Sequence, residues 1–332
     1  MNKLSKISYC KALLNGFEYL LENHKEVFVI GQGLWSPWYV GNSMKDLDKK
    51  YGKSRIIDTP ISENAVTGAA VGASLCGSKP IVVHPRMDFM LYAMDPIINQ
   101  AAKWSYMFGG KSNPQVTIRS IINRGGEQGA QHSQSLHSLF AHIPGLRVVM
   151  PYSVQDARDL LIASVLNKDP VVFIDDRWLY EDEALVSDIQ LLDLSKEKPK
   201  TIIHGNDLTI VSSSYSTKIA KKAIKLFQTK NDKTIELIDM RVINPIDTSV
   251  IINSVKKTRR LIVVDGGWKN CGLGSSIISS VCEKIDPCLM KVSPTNISLE
   301  STPAPASNIL EKVYYKNEMD ILKVIERNLL NL

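Results

Sequence analysis

Residues 55–83 read RIIDTPISENAVTGAAVGASLCGSKPIVV. A short apolar run at 55–58 is followed by a polar turn, a small-residue stretch at 65–75 and a second apolar run at 79–83. Short apolar runs bounded by turn residues read as buried strands. The stretch between them is long enough for a crossover helix, which joins strands that run parallel. Its glycines, alanines and serine predict a helix packed closely against its neighbours.

The alternation continues in both directions. Upstream, a helix over 8–22 carries Leu13, Leu14, Phe17, Tyr19, Leu20 and Leu21 on a helical period. The strand EVFVI at 26–30 follows and runs into Gly31-Gln32-Gly33, with a short helix expected over 46–51. Downstream, a long amphipathic helix is expected over 92–106, and the strand QVTIR at 115–119 leads to a polar glycine loop at 123–133. RVVM at 147–150, a helix at 154–166 and VVFI at 171–174 complete this unit. Over 180–203 the periodicity gives way to charge, which reads as a connection with room for a short strand. A second unit then repeats the pattern, with strands at 208–212, 235–239 and 260–264 and helices near 217–227, 248–256 and 275–284. The fold class is α/β, with parallel sheets covered by helices. At 332 residues, about twice a typical domain, two domains are expected: 1–180 and 204–332, joined by a linker at 181–203.

Composition narrows the function classes. The chain is 44% apolar and 22% charged, as ordinary globular proteins are, and no apolar run is long enough to span a bilayer. The first residues, MNKLSKISYCKALLNGFEYLLENHKE, are too polar to read as a signal peptide. Five scattered cysteines without a CxxC pair suit a reducing cytoplasm and argue against zinc or a disulfide framework. The net charge of +6 is spread along the chain, so nucleic-acid binding is not expected. No GxSxG elbow surrounds any serine, and the glycine-rich segment 266–274 has neither a GxGxxG fingerprint nor the GK[ST] ending of a P-loop.

Three segments concentrate chemistry-bearing residues at expected strand ends, where open α/β sheets bind ligands. In Asp58-Thr59-Pro60-Ile61-Ser62-Glu63-Asn64, Glu63 either serves the helix terminus or projects into a cleft and exchanges a proton with a ligand. In 125–135, His132 stands among hydroxyl and amide side chains and could move protons, or Ser133 or Ser135 merely caps a helix with His132 and His137 exposed. The spacing of His132, His137 and His142 does not bring three ligands to one helix face, which argues against a metal. The third segment, 266–274, reads as a structural glycine turn.

Four stretches together carry a family resemblance: RIIDTPISENAVTGAAVGASLCG, MDPIINQAAKWSYMFGG, AQHSQSLHSLFAHIPGLRVVMP and ELIDMRVINPIDTSVIINSVKKTRRLIVVDGGW. In order and spacing the chain resembles, from about residue 8 to its end, the β subunits of thiamine-diphosphate-dependent 2-oxo acid dehydrogenases. These are the decarboxylating components of pyruvate, branched-chain and acetoin dehydrogenase complexes. The resemblance implies a pyrimidine-binding domain followed by a transketolase C-terminal-type domain. It implies that Glu63, in the ISE motif, hydrogen-bonds the pyrimidine ring nitrogen and so helps the exocyclic nitrogen act as base. It also implies that Phe89 stacks on the pyrimidine and that His132, in the HSQ motif, handles the acyl group. A structural monovalent cation, usually potassium, would sit on carbonyls matching Val116, Ser164, Val165, Asn167 and Asp169, although a helix end and turn at 166–170 accounts for the same residues.

The chain has no GDG motif, the element through which such enzymes hold the diphosphate with magnesium. The resemblance therefore implies an α subunit that carries it and an α2β2 heterotetramer. The implied reaction is oxidative decarboxylation of a 2-oxo acid with acyl transfer to a lipoyl-bearing acyltransferase. A carboligase of transketolase or acetoin type and a non-catalytic scaffold subunit are the alternatives. Departures from the family pattern lie at Gly31-Gln32-Gly33, where Gly-Glu is usual, at GLWSPWYVG with Trp35 and Trp38, and at His84-Pro85-Arg86-Met87, where the family is more apolar. The first departure touches a glutamate linked to communication between paired sites. The others flank the cofactor face and are expected to alter substrate or partner choice.

Overall fold

The computed structural model describes residues 4–36 and 38–330. The chain forms two compact units. The first comprises the residues up to Arg124 together with Leu139–Glu197, and the second comprises Gly125–Ser138 and Lys198 onward.

In the first unit six parallel strands lie in the order Arg147–Val149, Val171–Asp176, Thr117–Ile122, Lys79–His84, Val27–Gly31 and Ile56–Asp58. Lys79–His84, Thr117–Ile122 and Val171–Asp176 are buried nearly throughout, as strands covered on both faces must be. On one side the helix Tyr9–Asn23 packs on the helix Val154–Leu166. Gly16 permits that approach, because a Cβ there would stand 3.2 Å from Leu161 Cδ2 and 3.4 Å from Arg158 O. Ser8 and Ser153 cap these two helices by accepting from the Lys11 and Asp156 amides.

The helix Glu63–Leu75 buries Thr67, Ala70, Val71 and Ser74, one edge at helical spacing, against the strand Lys79–His84 and the turns that follow. Ala65, Ala69 and Gly72 face outward, so the close packing expected of this small-residue helix holds on one side only. The long regular helix expected over 92–106 is instead three pieces. They are a 3-10 segment Met87–Ala93, a wide π-type segment Asp95–Ala101 and a short α-helix Ala102–Met107. Pro96 explains the break, since it lacks an amide hydrogen and its ring crowds the preceding turn.

The stretch expected as a linker is partly ordered into strands. Glu183–Val186 pairs antiparallel with Ser5–Ser8, and Lys200–Ile203 joins the sheet of the second unit. That sheet has the order Thr295–Leu299, Leu261–Trp268, Leu208–Ser212, Ile235–Asp239, Lys200–Ile203, with only the last strand antiparallel. Its core gathers Leu208, Ile210, Ile224, Phe227, Leu237 and Ile262 with Ile321 and Ile325 of the helix Glu318–Leu330. Among the described residues no helix is long and apolar enough to cross a membrane.

A buried polar cluster pins the strand ends of the first unit. Arg119, with no exposed surface, donates from Nε and Nη2 to the two Asp175 oxygens at 2.9 Å, and from Nη2 to Ser43 Oγ at 2.8 Å. The Tyr180 hydroxyl accepts from Arg119 at 3.0 Å and donates to Asp175. Burial works to discharge Arg119, but the Asp175 carboxylate outweighs it and holds the guanidinium pKa above its usual value. Next along the strand, Arg124 Nη2 lies 2.7 Å from Asp176.

Candidate active site

Three strand ends of the first unit enclose a cleft lined by Gly31, Gln32, Thr59, Pro60, Ser62, Glu63, Val66, Val82, Val83 and His84. Gly31 is required there, because a Cβ would lie 2.4 Å from Val83 O. The turn beyond it is held by Asp58, whose carboxylate accepts from the Gly33 amide at 2.6 Å and the Trp35 amide at 3.3 Å. The Trp35 indole donates to Ile56 O at 2.9 Å, and the Thr59 amide donates to Gly31 O at 2.9 Å. Gln32 and Thr59 are thus placed by bonds on either side of them.

Glu63 is the first residue of the helix Glu63–Leu75 and is half-buried. Its carboxylate has no hydrogen-bond or ion-pair partner among the described residues, although it borders the cleft. A carboxyl serving only as a local cap would spend its oxygens on nearby amides. Two further polar atoms, Gln32 Oε1 and Thr59 Oγ1, are buried without a partner. Orphaned acceptors of this kind mark where a ligand's polar edge belongs. His84 closes the cleft from the strand side, 3% exposed, with Nε2 at 3.3 Å from Thr67 Oγ1. Burial pushes its pKa down to about 4, so the imidazole is neutral at neutral pH.

The cleft as it stands is narrow, about 10 Å³, far below the roughly 300–1,000 Å³ of a pocket for a whole drug-sized ligand, so it can receive only the edge of one. Aliphatic walls, one free carboxylate and two orphaned acceptors suit one end of a larger ligand, a flat ring with a polar edge. Phe89 sits half-buried in the turn Met87–Ala93 that follows this strand, outside the residues lining the cleft.

His132 belongs to the second unit, in the segment 125–138. It is half-buried, and its amide donates to Gly129 O at 3.4 Å. His137 is not exposed, as a bare capping loop would leave it, but only 1% accessible. Its Nε2–H donates to Asp265 Oδ1 at 2.8 Å, and its Nδ1 lies 2.9 Å from Ser135 Oγ. Asp265 also accepts from the Gly267 and Gly274 amides at 3.0 Å each. Burial raises its pKa, but His137 and these bonds prevail and keep it below the usual range. The glycine turn at 266–274 is structural: a Cβ on Gly267 would meet His137 Cε1 at 2.9 Å, and one on Gly272 would meet Trp268 O at 2.2 Å. His137 and Asp265, more than a hundred residues apart, carry no local sequence signal for this pairing.

The carbonyls considered for a monovalent cation are largely engaged. Val116 O accepts from Val171, Ser164 O from Asn167, and Asp169 O from Asn167 Nδ2. Asn167 is the C-cap of the helix Val154–Leu166, so a helix end and turn account for the segment. Among the described residues no group of three or more His, Cys, Asp or Glu is placed to hold a metal ion.

Residues 5–182 match the family described as transketolase, pyrimidine binding domain, and residues 198–321 match transketolase, C-terminal domain. The pyruvate dehydrogenase E1 component subunit beta of Rickettsia felis is 33% identical, covering 97% of this chain and 98% of that protein. The chain belongs to the transketolase-like family of dehydrogenase β subunits. Within this family the mitochondrial pyruvate dehydrogenase E1 component subunit beta of Saccharomyces cerevisiae is 33% identical, covering 95% of this chain and 87% of that one. The acetoin:2,6-dichlorophenolindophenol oxidoreductase subunit beta of Cupriavidus necator is 36% identical over 83% of this chain and 81% of its own length. A solved split-gene transketolase, described as an inactive beta4 tetramer, shares the fold with a TM-score of 0.73 at 19% identity, covering 98% of each chain.

Proposed function

We propose that this family member is the β subunit of a thiamine-diphosphate-dependent 2-oxo acid dehydrogenase, and that its cleft takes the aminopyrimidine end of the cofactor. The observation that carries this reading is the Glu63 carboxylate, partnerless at a helix N-terminus and bordering an otherwise aliphatic cleft. When bound, thiamine diphosphate would supply a carbon acid whose conjugate base is the nucleophile toward the keto carbon and an electron sink for the pair left by departing carbon dioxide. Glu63 holds a proton at the pyrimidine ring nitrogen, and the low polarity around Val66, Val82 and Val83 keeps that proton from exchanging with water. Gln32 and Thr59 offer their orphaned acceptors to the ring's amino edge, and Phe89 offers it a flat apolar face. His132 acts as general acid or base toward the acyl group.

The diphosphate, with magnesium, belongs to an α subunit that supplies the GDG motif missing here, in an α2β2 assembly. Two large apolar side chains support a covering partner: Ile61, two residues before Glu63, is 74% exposed, and Tyr92, three residues after Phe89, is 71% exposed. Acyl transfer to a lipoyl-bearing acyltransferase is the corresponding onward step. A potassium ion on the carbonyls of Val116, Ser164, Val165, Asn167 and Asp169 would have to share oxygens already engaged.

The test is calorimetric titration of thiamine diphosphate with magnesium into the chain alone and into the chain purified with its α partner. Tight binding only in the mixture is expected. Glu63→Gln in the assembled complex should cut 2-oxo acid decarboxylation by at least about a hundredfold. Full activity of that variant would remove Glu63 from the chemistry, and binding by neither preparation would remove the cofactor.

A further inference from the structure

Four arginines cluster near the strand ends of the first unit, and two of them lack what the others have. Arg119 and Arg124 are paired with Asp175 and Asp176. Arg86 and Arg177 have no carboxylate within ion-pair distance among the described residues. Arg177 is held by neutral groups: Nη1 donates to Asn123 Oδ1 at 2.9 Å and Nη2 to Trp38 O at 2.8 Å. Asn123 in turn donates from Nδ2 to Pro85 O at 3.0 Å, which fixes the backbone just before Arg86. Arg86 is half-buried, and its Nη1 is buried without an acceptor.

This arrangement is costly as it stands. A buried guanidinium N–H without a partner forfeits its hydration. Burial lowers the Arg86 pKa, and the charge of Arg177 lowers it further, against weaker opposing effects of Asp88 and Tyr39. A planar donor fork held near a second cation is the usual way proteins receive a carboxylate or phosphate. The location also suits a ligand: Arg86 lies two residues past the strand that carries His84 and three residues before Phe89. Parallel sheets bind ligands at these carboxyl ends.

We infer that Arg86, supported by Arg177, recognises a second anionic group, carboxylate or phosphate, on the 2-oxo acid substrate. This rests on the proposed function and narrows it from 2-oxo acids in general to dianionic ones. The carboxylate that leaves as carbon dioxide is a poor occupant. Its charge departs as the bond breaks, so gripping it would stabilise the reactant more than the transition state. A remote anion keeps its charge throughout, and its binding energy can be used to orient the reacting carbonyl. Asn123 acts as a positioning residue, tying the Arg86 backbone to Arg177.

The test uses the chain assembled with its α partner and three substrates: 2-oxoglutarate for a second carboxylate, 3-phosphohydroxypyruvate for a phosphate, and 2-oxobutanoate with neither. At least one dianion should exceed 2-oxobutanoate in kcat/KM by about tenfold or more, and Arg86→Met should lower that ratio about ten- to a hundredfold. Arg86→Lys, which keeps the charge but not the fork, should fall between them. Which dianion responds tells carboxylate from phosphate. No preference for either dianion in an active complex, or a ratio unmoved in Arg86→Met, overturns the inference and leaves the proposed function standing. The second readout is the thermal shift of the full chain with glutarate or inorganic phosphate. An Arg86-dependent shift in a preparation that decarboxylates none of the three keeps the anion site and overturns the function. Absence of both overturns both.

Discussion

Acidification should destabilise the first unit through His84, and a substitution isolates that effect. The imidazole is 3% exposed, and its pKa falls from 6.5 to about 4 on folding because burial disfavours the charged ring. The unfolded chain therefore binds a proton that the folded protein refuses. His84 is neutral in both states above about pH 7, so it adds no pH dependence there. As the pH falls through 6.5 toward 4, the unfolded state alone gains the proton and stability is lost. From about pH 7.5 to about pH 5 the loss is about 2 kcal/mol, out of about 3 kcal/mol once both states are protonated. The assay is urea unfolding of wild type and His84→Phe at the two pH values. His84→Phe also removes the bond to Thr67, but that cost is common to both conditions and cancels in the comparison. Wild type should lose about 2 kcal/mol more than the variant on acidification. Equal losses would mean that His84 is hydrated or paired in solution and does not form a dry wall of the cleft.

Two other predictions concern the polar clusters. Arg119→Met leaves Asp175 buried beside Tyr180 without its cation and should cost about 3–5 kcal/mol, whereas pairing it with Asp175→Leu should recover much of that in thermal unfolding. If the double variant is no more stable than the single one, the ion pair is not what the site requires. Asp265→Asn weakens the anchor of His137 and should expose the segment 125–138, which carries His132, to faster limited proteolysis at neutral pH. An unchanged cleavage rate would show that the segment is held by other contacts.

Much of the fold is legible in the chain because its signals are local. Apolar runs at 208–212 and 235–239 become strands with those bounds, since a strand buried on both faces needs only consecutive apolar residues. The break in the helix expected over 92–106 was carried by Pro96, a single residue outweighed by the surrounding apolar period. Edge strands such as Ser5–Ser8 and Glu183–Val186 are half exposed and lack an apolar run, so pairing, not composition, makes them strands.

The α/β class and the parallel sheets follow from the sequence, because periodicity is written in neighbouring residues, and the resemblance to dehydrogenase β subunits is what singles out Glu63, Phe89 and His132 as candidates. Tertiary structure decided which side chains are satisfied. Whether Glu63 caps its helix or stands free, whether His137 faces solvent or Asp265, and whether Arg86 finds a carboxylate all depend on residues far away in the chain. Asn123 and Arg177 reach Arg86 only because the strands ending near them are laid side by side in one sheet. Hydrogen bonding and desolvation are set by such distances in space, which the order of residues along the chain does not state.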